Sequence, residues 1–290
     1  RAWRQLLFCQ HHDSITGTSN DQSYLDLMSH LREALAEADD ARQRAVSALA
    51  ARVDTEAGDG IAVVVFNSLN IVRTETVDVK LPPEAPAGDS WTVEDEDGNP
   101  QAGERADSPA GPVVRFVARN IPGVGYRTFW ISPAEVSQTA DDQRRPIVSD
   151  SQPVTVETRH AIVTFDPERG GGITSLTDRQ TGVEIAGSEA TPSCLPLNDV
   201  VRLKEGPGKE PSWEYHTTGD RLCASSMKAR VAAVPTVSGW EVEISCDFPD
   251  TDGIVRRLRL YDDDPRIDCR VEIRRYSGSR LLGRDRIDLE

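Results

Sequence analysis

The stretch Ala57-Gly58-Asp59-Gly60-Ile61-Ala62-Val63-Val64-Val65-Phe66 separates two kinds of hydrophobic pattern. Upstream of it apolar residues recur at helical spacing. Downstream they alternate or run in short blocks, the signature of half-buried and fully buried strands. The two glycines mark a sharp break between the regimes. The expected fold class is therefore a segregated α+β arrangement, with an N-terminal, three-helix-bundle-like helical segment followed by antiparallel β-sandwich domains.

On the upstream side, no Gly or Pro occurs from Asp21 to about Val53, and Tyr24, Met28, Leu31, Leu35, Ala38, Ala45, Leu49 and Val53 fall on one stripe. This predicts a helix of about 50 Å at 1.5 Å per residue. Ser19 or Asn20 is its expected cap, with Asp21 and Asp26 at the positive end of the dipole. A narrow apolar stripe on so long a helix needs helical partners. Before it stands only a short segment in which Trp3, Leu6 and Leu7 open at helical spacing without a cap. The expectation is a chain cut from a longer one, its partner helix lying upstream.

On the downstream side, Val63–Phe66, Thr76–Leu81, Val113–Ala118 and Tyr126–Ile131 read as strands of a small β-domain, residues 59–132. The polar stretch 133–153 reads as a linker or exposed loop. Strands resume at Val154–Glu157 and Ala161–Phe165. Val200–Leu203, Ala229–Val234, Trp240–Cys246, Ile254–Tyr261 and Arg266–Ile273 continue them into a larger and incomplete antiparallel sandwich, residues 154–290. The basic cluster Arg270, Arg274, Arg275, Arg280, Arg284 and Arg286 reads as a charged edge strand that resists pairing. The helical segment, residues 1–58, completes the division.

A net charge of −15 over 290 residues argues against nucleic acid or an anionic membrane as partner. No apolar run reaches the roughly 18 to 20 residues of a membrane-spanning helix. Five cysteines without a CxxC pair read mostly as buried free thiols. Asn67 and Asn70 both lack the hydroxyl residue of a glycosylation sequon. Together these favour the cytoplasm over a secretory or lysosomal compartment.

One segment carries chemistry: Gln10-His11-His12-Asp13-Ser14-Ile15-Thr16-Gly17-Thr18-Ser19. Neighbouring side chains diverge by about 100° on a helix and point to opposite faces of a strand, so at most one of the two histidines is expected to ligate a given metal ion. The carboxylate beside them can orient the site or bind a polar group. A cap and a solvated helix end would also account for the cluster. His30, His160 and His216 have no ligand-like spacing to it.

QHHDSITGTS, set between a Leu/Phe/Cys helix and a long helix, resembles the HHDxITGT signature of glycoside hydrolase family 38, the retaining α-mannosidases. Val63-Val64-Val65-Phe66-Asn67-Ser68-Leu69 is similar to the family's VVVFNPL strand, Gly125-Tyr126-Arg127-Thr128 to its GYRT strand, and Phe165-Asp166 through Leu176 to the hairpin opening its C-terminal domain. The resemblance implies that His12 is a zinc ligand and Asp13 binds sugar hydroxyls, with His11 beside the site in an unassigned role. It implies one Zn2+ per complete active site, an α-mannoside or mannosyl glycan as substrate, and a catalytic barrel of the same polypeptide outside these residues. That barrel would supply the other ligands, the nucleophile and the general acid, so no catalytic residue is expected here and the chain alone should be inactive. Trp213 or Tyr215, in the loop Lys209–His216, would bring an aromatic group to the sugar; an ordinary β-loop is the competing reading. Ser14 and Thr18-Ser19 sit between two styles of the signature, which leaves subfamily and linkage open. Two alternatives stand beside this one: a noncatalytic β-sandwich protein binding carbohydrate or protein, and a glycosidase for a small mannosyl solute.

Overall fold

A computed structural model describes residues 1–16, 19–56, 58–82, 85, 88, 90–108, 111–134, 144–186, 195–206 and 216–275. Among them are the helices α1 (Ala2–Cys9), α2 (His12–Ile15) and α3 (Asp21–Ala50). The strands are β1 (Ile61–Asn67), β2 (Arg73–Val79), β3 (Ser90–Asp95), β4 (Pro100–Ser108), β5 (Gly111–Ile121), β6 (Gly125–Pro133), β7 (Ile147–Ser149) and β8 (Val154–Glu157). They continue with β9 (Ala161–Asp166), β10 (Gly172–Asp178), β11 (Val201–Glu205), β12 (Thr217–Cys223), β13 (Ala229–Thr236), β14 (Gly239–Cys246), β15 (Ile254–Tyr261) and β16 (Ile267–Ile273). The order is helices first and antiparallel β afterwards, as the change of period requires. The chain divides into two compact units, Arg1–Ala57 with Lys204–Asp220, and Gly58–Leu203 with Arg221–Glu290.

In the helical unit α1 runs antiparallel along α3. Arg1 pairs with Glu37 at 3.1 Å, Gln5 donates to Glu33 at 2.8 Å, and Phe8 meets His30 edge-on at 5.2 Å. At the far end the Cys9 thiol donates to the Leu27 carbonyl at 3.7 Å. Asn20 is the cap of α3, its Oδ1 accepting from the Ser23 amide at 2.9 Å. The helix stops at Ala50, short of Val53. Leu27 and Ala34 are its buried residues, while Tyr24, Leu35 and Leu49 are more than half exposed. The covered face is thus rotated roughly 60°, at 100° per residue, from the stripe the sequence outlines. α1 sets that face, because it is the helix that packs there.

The break that opens the β-rich unit is fixed by close approach. A Cβ on Gly58 would lie 2.4 Å from the Trp130 ring, and one on Gly60, at φ +114°, would lie 2.6 Å from the Ile131 carbonyl oxygen. Only glycine fits either place. From there β1 pairs with β6 in a six-stranded sheet of order β1-β6-β3-β4-β5-β2. Its core gathers Trp91, Val93, Phe116, Phe129 and Ile131. Asn67, at the end of β1, is buried with every bond made: its amide donates to the carbonyls of Ile71, Ile121 and Pro122 and its oxygen accepts from the Leu69 amide. It ties two loops to the sheet end.

The second β layer pair is a sandwich. A five-stranded sheet, β16-β15-β14-β13-β7, shares one hydrophobic cluster with the three-stranded sheet β10-β9-β8. Val163 and Phe165 contribute from the smaller sheet, Val231, Ile244 and Leu258 from the larger. The stretch 133–153, expected as a linker, contains β7, which pairs with β13 through Val231, Ala232 and Ala233. β16 is an edge strand, as its arginines suggest; Arg280, Arg284 and Arg286 lie outside the described residues. Cys9 and Cys246 are buried thiols, Cys223 is half-buried and Cys269 exposed; Cys194 lies outside the described residues.

The six-stranded sheet meets the sandwich through charge. Arg115, its side chain 4% exposed, forks onto Asp78 and reaches Glu241 of β14 at 2.6 Å. Beside it Glu104 accepts from the Val237 amide at 3.1 Å. Burial dominates Glu104 and pushes its carboxyl up to about 7, with Glu241 and Asp78 adding to the rise and Arg115 and the Val237 amide opposing it. A carboxyl raised in the folded state stabilises fully below its unfolded value and loses that contribution as pH climbs through the folded one. Between about pH 5 and pH 8 the loss should approach about 2 kcal/mol. Glu104→Gln should remove this slope: urea unfolding should find the variant more stable than the parent near pH 8 and close to it near pH 5. A parent profile unchanged by the substitution would contradict the assignment.

Candidate functional site

Because α1 and α3 lie side by side, the chain must reverse between Cys9 and Asp21, and the HHD segment is that reversal. His11 leaves α1 with φ −56° and ψ 139°, an extended conformation, and then caps the single turn α2. Its Nδ1 accepts from the Asp13 amide at 3.3 Å. The His11 carbonyl takes the Ser14 and Ile15 amides at 2.9 and 3.0 Å. Thr16 Oγ1 donates to the His12 carbonyl and Ser19 Oγ to the Asp13 carbonyl. Backbone and neighbouring side chains share the bonds of the turn, and the imidazole of His12 enters none of these.

That imidazole is 82% exposed, and its Nε2 lies 3.4 Å from Asp13 Oδ2. The two histidine rings are 4.3 Å apart at a tilt of 33°. Adjacent imidazoles on one regular element would diverge. Here His11 is extended and His12 helical, so the rings come together, and donor atoms of His11, His12 and Asp13 lie within 4.8 Å of one another. Spatial divergence therefore does not decide which histidine can ligate; proton bookkeeping does. A neutral imidazole accepting at Nδ1 carries its proton on Nε2. While it caps α2, His11 has no lone pair left for a metal. His12 makes no such bond to the backbone.

The capping role of His11 carried no signal in the sequence, since Ser, Thr, Asp and Asn are the usual caps. His30, without ligand-like spacing, packs its ring on Phe8, and its Nδ1 is buried without a hydrogen-bond partner among the described residues. His160 lies in the turn between β8 and β9, and His216 immediately precedes β12. Trp213 and Tyr215 lie outside the described residues. No helix among the described residues is long and apolar enough to cross a membrane.

Residues 1–49, which hold α1, the HHD turn and nearly all of α3, match the family model described as the alpha mannosidase middle domain. No curated protein matches the chain. The helical segment is therefore a region related to the family 38 α-mannosidases.

The cap geometry makes its own prediction. His11→Ala should expose the Asp13 amide to faster hydrogen exchange and cost roughly 0.5 to 1 kcal/mol, the range for an exposed helix cap. His11→Asn should restore protection, because a side-chain oxygen can replace Nδ1. Equal exchange at Asp13 in all three proteins would show that the cap contributes nothing.

Proposed function

We propose that the HHD turn is one corner of the active site of a zinc-dependent retaining α-mannosidase, with His12 as a zinc ligand and Asp13 as a sugar-binding carboxylate. The observation that carries the reading is the pairing of two exposed side chains, His12 Nε2 3.4 Å from Asp13 Oδ2, in the residues that match the alpha mannosidase middle domain. A catalytic zinc takes about three protein ligands and an open position. One imidazole and one carboxylate fit as part of such a set and fall short of all of it. The remaining ligands, the nucleophile and the general acid are assigned to a catalytic barrel outside these residues.

Bound there, the zinc would polarise and orient hydroxyls of the substrate. His12 would offer one lone pair. Asp13, 62% exposed, would accept hydrogen bonds from sugar hydroxyls, charge-assisted and therefore stronger than neutral ones. His11 holds the turn that presents both. A retaining mechanism needs two carboxyl groups roughly 5 Å apart across the anomeric carbon. Asp13 by itself cannot supply both the nucleophile and the acid.

Two outcomes are expected. The 290-residue chain should bind zinc weakly in titration calorimetry and leave an aryl α-mannoside unhydrolysed; stoichiometric submicromolar binding, or turnover abolished by Asp13→Ala, would overturn the assignment of the missing groups to another domain. Joined to a family barrel, His12→Ala should lower zinc content, whereas Asp13→Ala should retain zinc and lose on the order of 10- to 100-fold in turnover, the worth of a charged hydrogen bond. Equal zinc loss in both would make Asp13 a ligand. Full activity in both would favour the noncatalytic reading.

A further inference from the structure

A cleft of about 710 Å³ at the sandwich brings together Arg144, Arg145, Arg159 and Arg179, with Glu157 and Trp240 in its wall. Four guanidinium groups in one cleft run against the charge of a chain at −15. Three of them have carboxylate partners. Arg144 forks onto Asp262 at 2.7 and 2.8 Å and lies over the Trp240 ring, 5.5 Å from its centroid. Arg179 meets Glu157 at 2.9 Å and Arg159 meets Asp263 at 3.0 Å. Asp263 is shared, since Arg119 holds its other oxygen at 2.7 Å. Arg145 contacts the Arg144 carbonyl and no carboxylate among the described residues.

Among the described residues, the four guanidinium groups of the cleft thus face three carboxylates, Glu157, Asp262 and Asp263, the last of them shared with Arg119 outside the cleft, a surplus of one positive charge. Trp240 stiffens the floor: its indole donates to the Glu157 carbonyl at 3.0 Å, and Arg144 covers its face. The indole is itself 6% exposed, so the cleft offers no free aromatic platform for a sugar ring or a base. What it offers is planar cationic forks, the groups that match oxyanions best. Arg145 and Arg159 are exposed at its mouth. A local cluster of guanidinium groups on an acidic protein suits a compact anion better than a nucleic-acid strand, which needs an extended basic track.

We propose that this cleft binds a tetrahedral dianion, a phosphate or sulfate group, free or carried as an ester on a sugar, with Arg145 and Arg159 as the recruiting residues. The proposal is independent of the HHD site.

The test titrates the full chain through the millimolar range with inorganic phosphate, inorganic sulfate, a hexose 6-phosphate and, as control, sodium chloride at equal ionic strength, following the Trp240 indole N–H resonance and the melting temperature. Phosphate or sulfate should move the indole signal and raise the melting temperature beyond chloride. Phosphate should weaken between pH 8 and pH 6 as it becomes a monoanion, its second pKa lying near about 7 for the free ion, while sulfate should not. Stronger binding of the hexose phosphate than of free phosphate would identify an ester as the ligand; the reverse would identify the free ion. Arg145→Ala combined with Arg159→Ala, both surface substitutions, should weaken binding at least fivefold while leaving the melting temperature in chloride unchanged. An indole response equal in chloride, or an affinity unmoved by the double substitution, would overturn the proposal.

Discussion

The antiparallel contact of α1 with α3 is the constraint from which the candidate site follows. An eight-residue helix is unstable alone in water, because nucleation costs more than so few hydrogen bonds return. α1 persists because Arg1, Gln5, Phe8 and Cys9 each find a partner on α3. Holding Cys9 against Leu27 leaves eleven residues, 10 to 20, in which to reverse the chain. A reversal that short is held by local backbone bonds together with side chains that serve the backbone groups these leave over. His11 and Asn20 accept from amides, and Thr16 and Ser19 donate to carbonyls. His12 takes no part in that service and stands in solvent, and this makes it the candidate ligand.

The same division between residues that satisfy the fold and residues left over recurs in the β-rich unit. Arg115 is buried among Asp78, Glu104 and Glu241, so its charge is used to join two sheets. Arg256 is buried among backbone carbonyls, donating to those of Asn198 and Gly170 while its Nε has no partner among the described residues. Arg145, by contrast, bonds a neighbouring carbonyl and no carboxylate among the described residues. The acid–base balance of the whole chain says nothing about these three situations, which depend on what surrounds each guanidinium.

The division into helices and antiparallel strands was legible because the period of the apolar residues changes at Gly58–Gly60, and Val63–Phe66 and Ile254–Tyr261 pattern as strands on their own. β3 and β4 were not legible. Pro100–Ser108 has almost no apolar alternation and is a strand because β3 and β5 hydrogen-bond to both its edges, with Gly103 packed under Trp91, Val93 and Val114. β7 is three residues long and owes its form to β13. The face of α3 was misjudged by a fraction of a turn because Leu27 and Ala34 are covered by α1, a contact that hydrophobicity alone does not encode. At the HHD turn the residues were legible and the geometry was not: a histidine cap lies outside the usual chemistry, and it brings together two rings that regular structure would separate.

In the proposed site this turn offers a metal one imidazole, that of His12, while His11 is committed to the backbone. Long-range proton–nitrogen NMR of the histidine side chains, recorded as zinc is raised to millimolar concentration, measures it directly. One ring nitrogen of His12 should shift toward a metal-bound value while His11 keeps its Nε2–H tautomer with Nδ1 as an acceptor. Shifts of both imidazoles together, or of His11 alone, would contradict it.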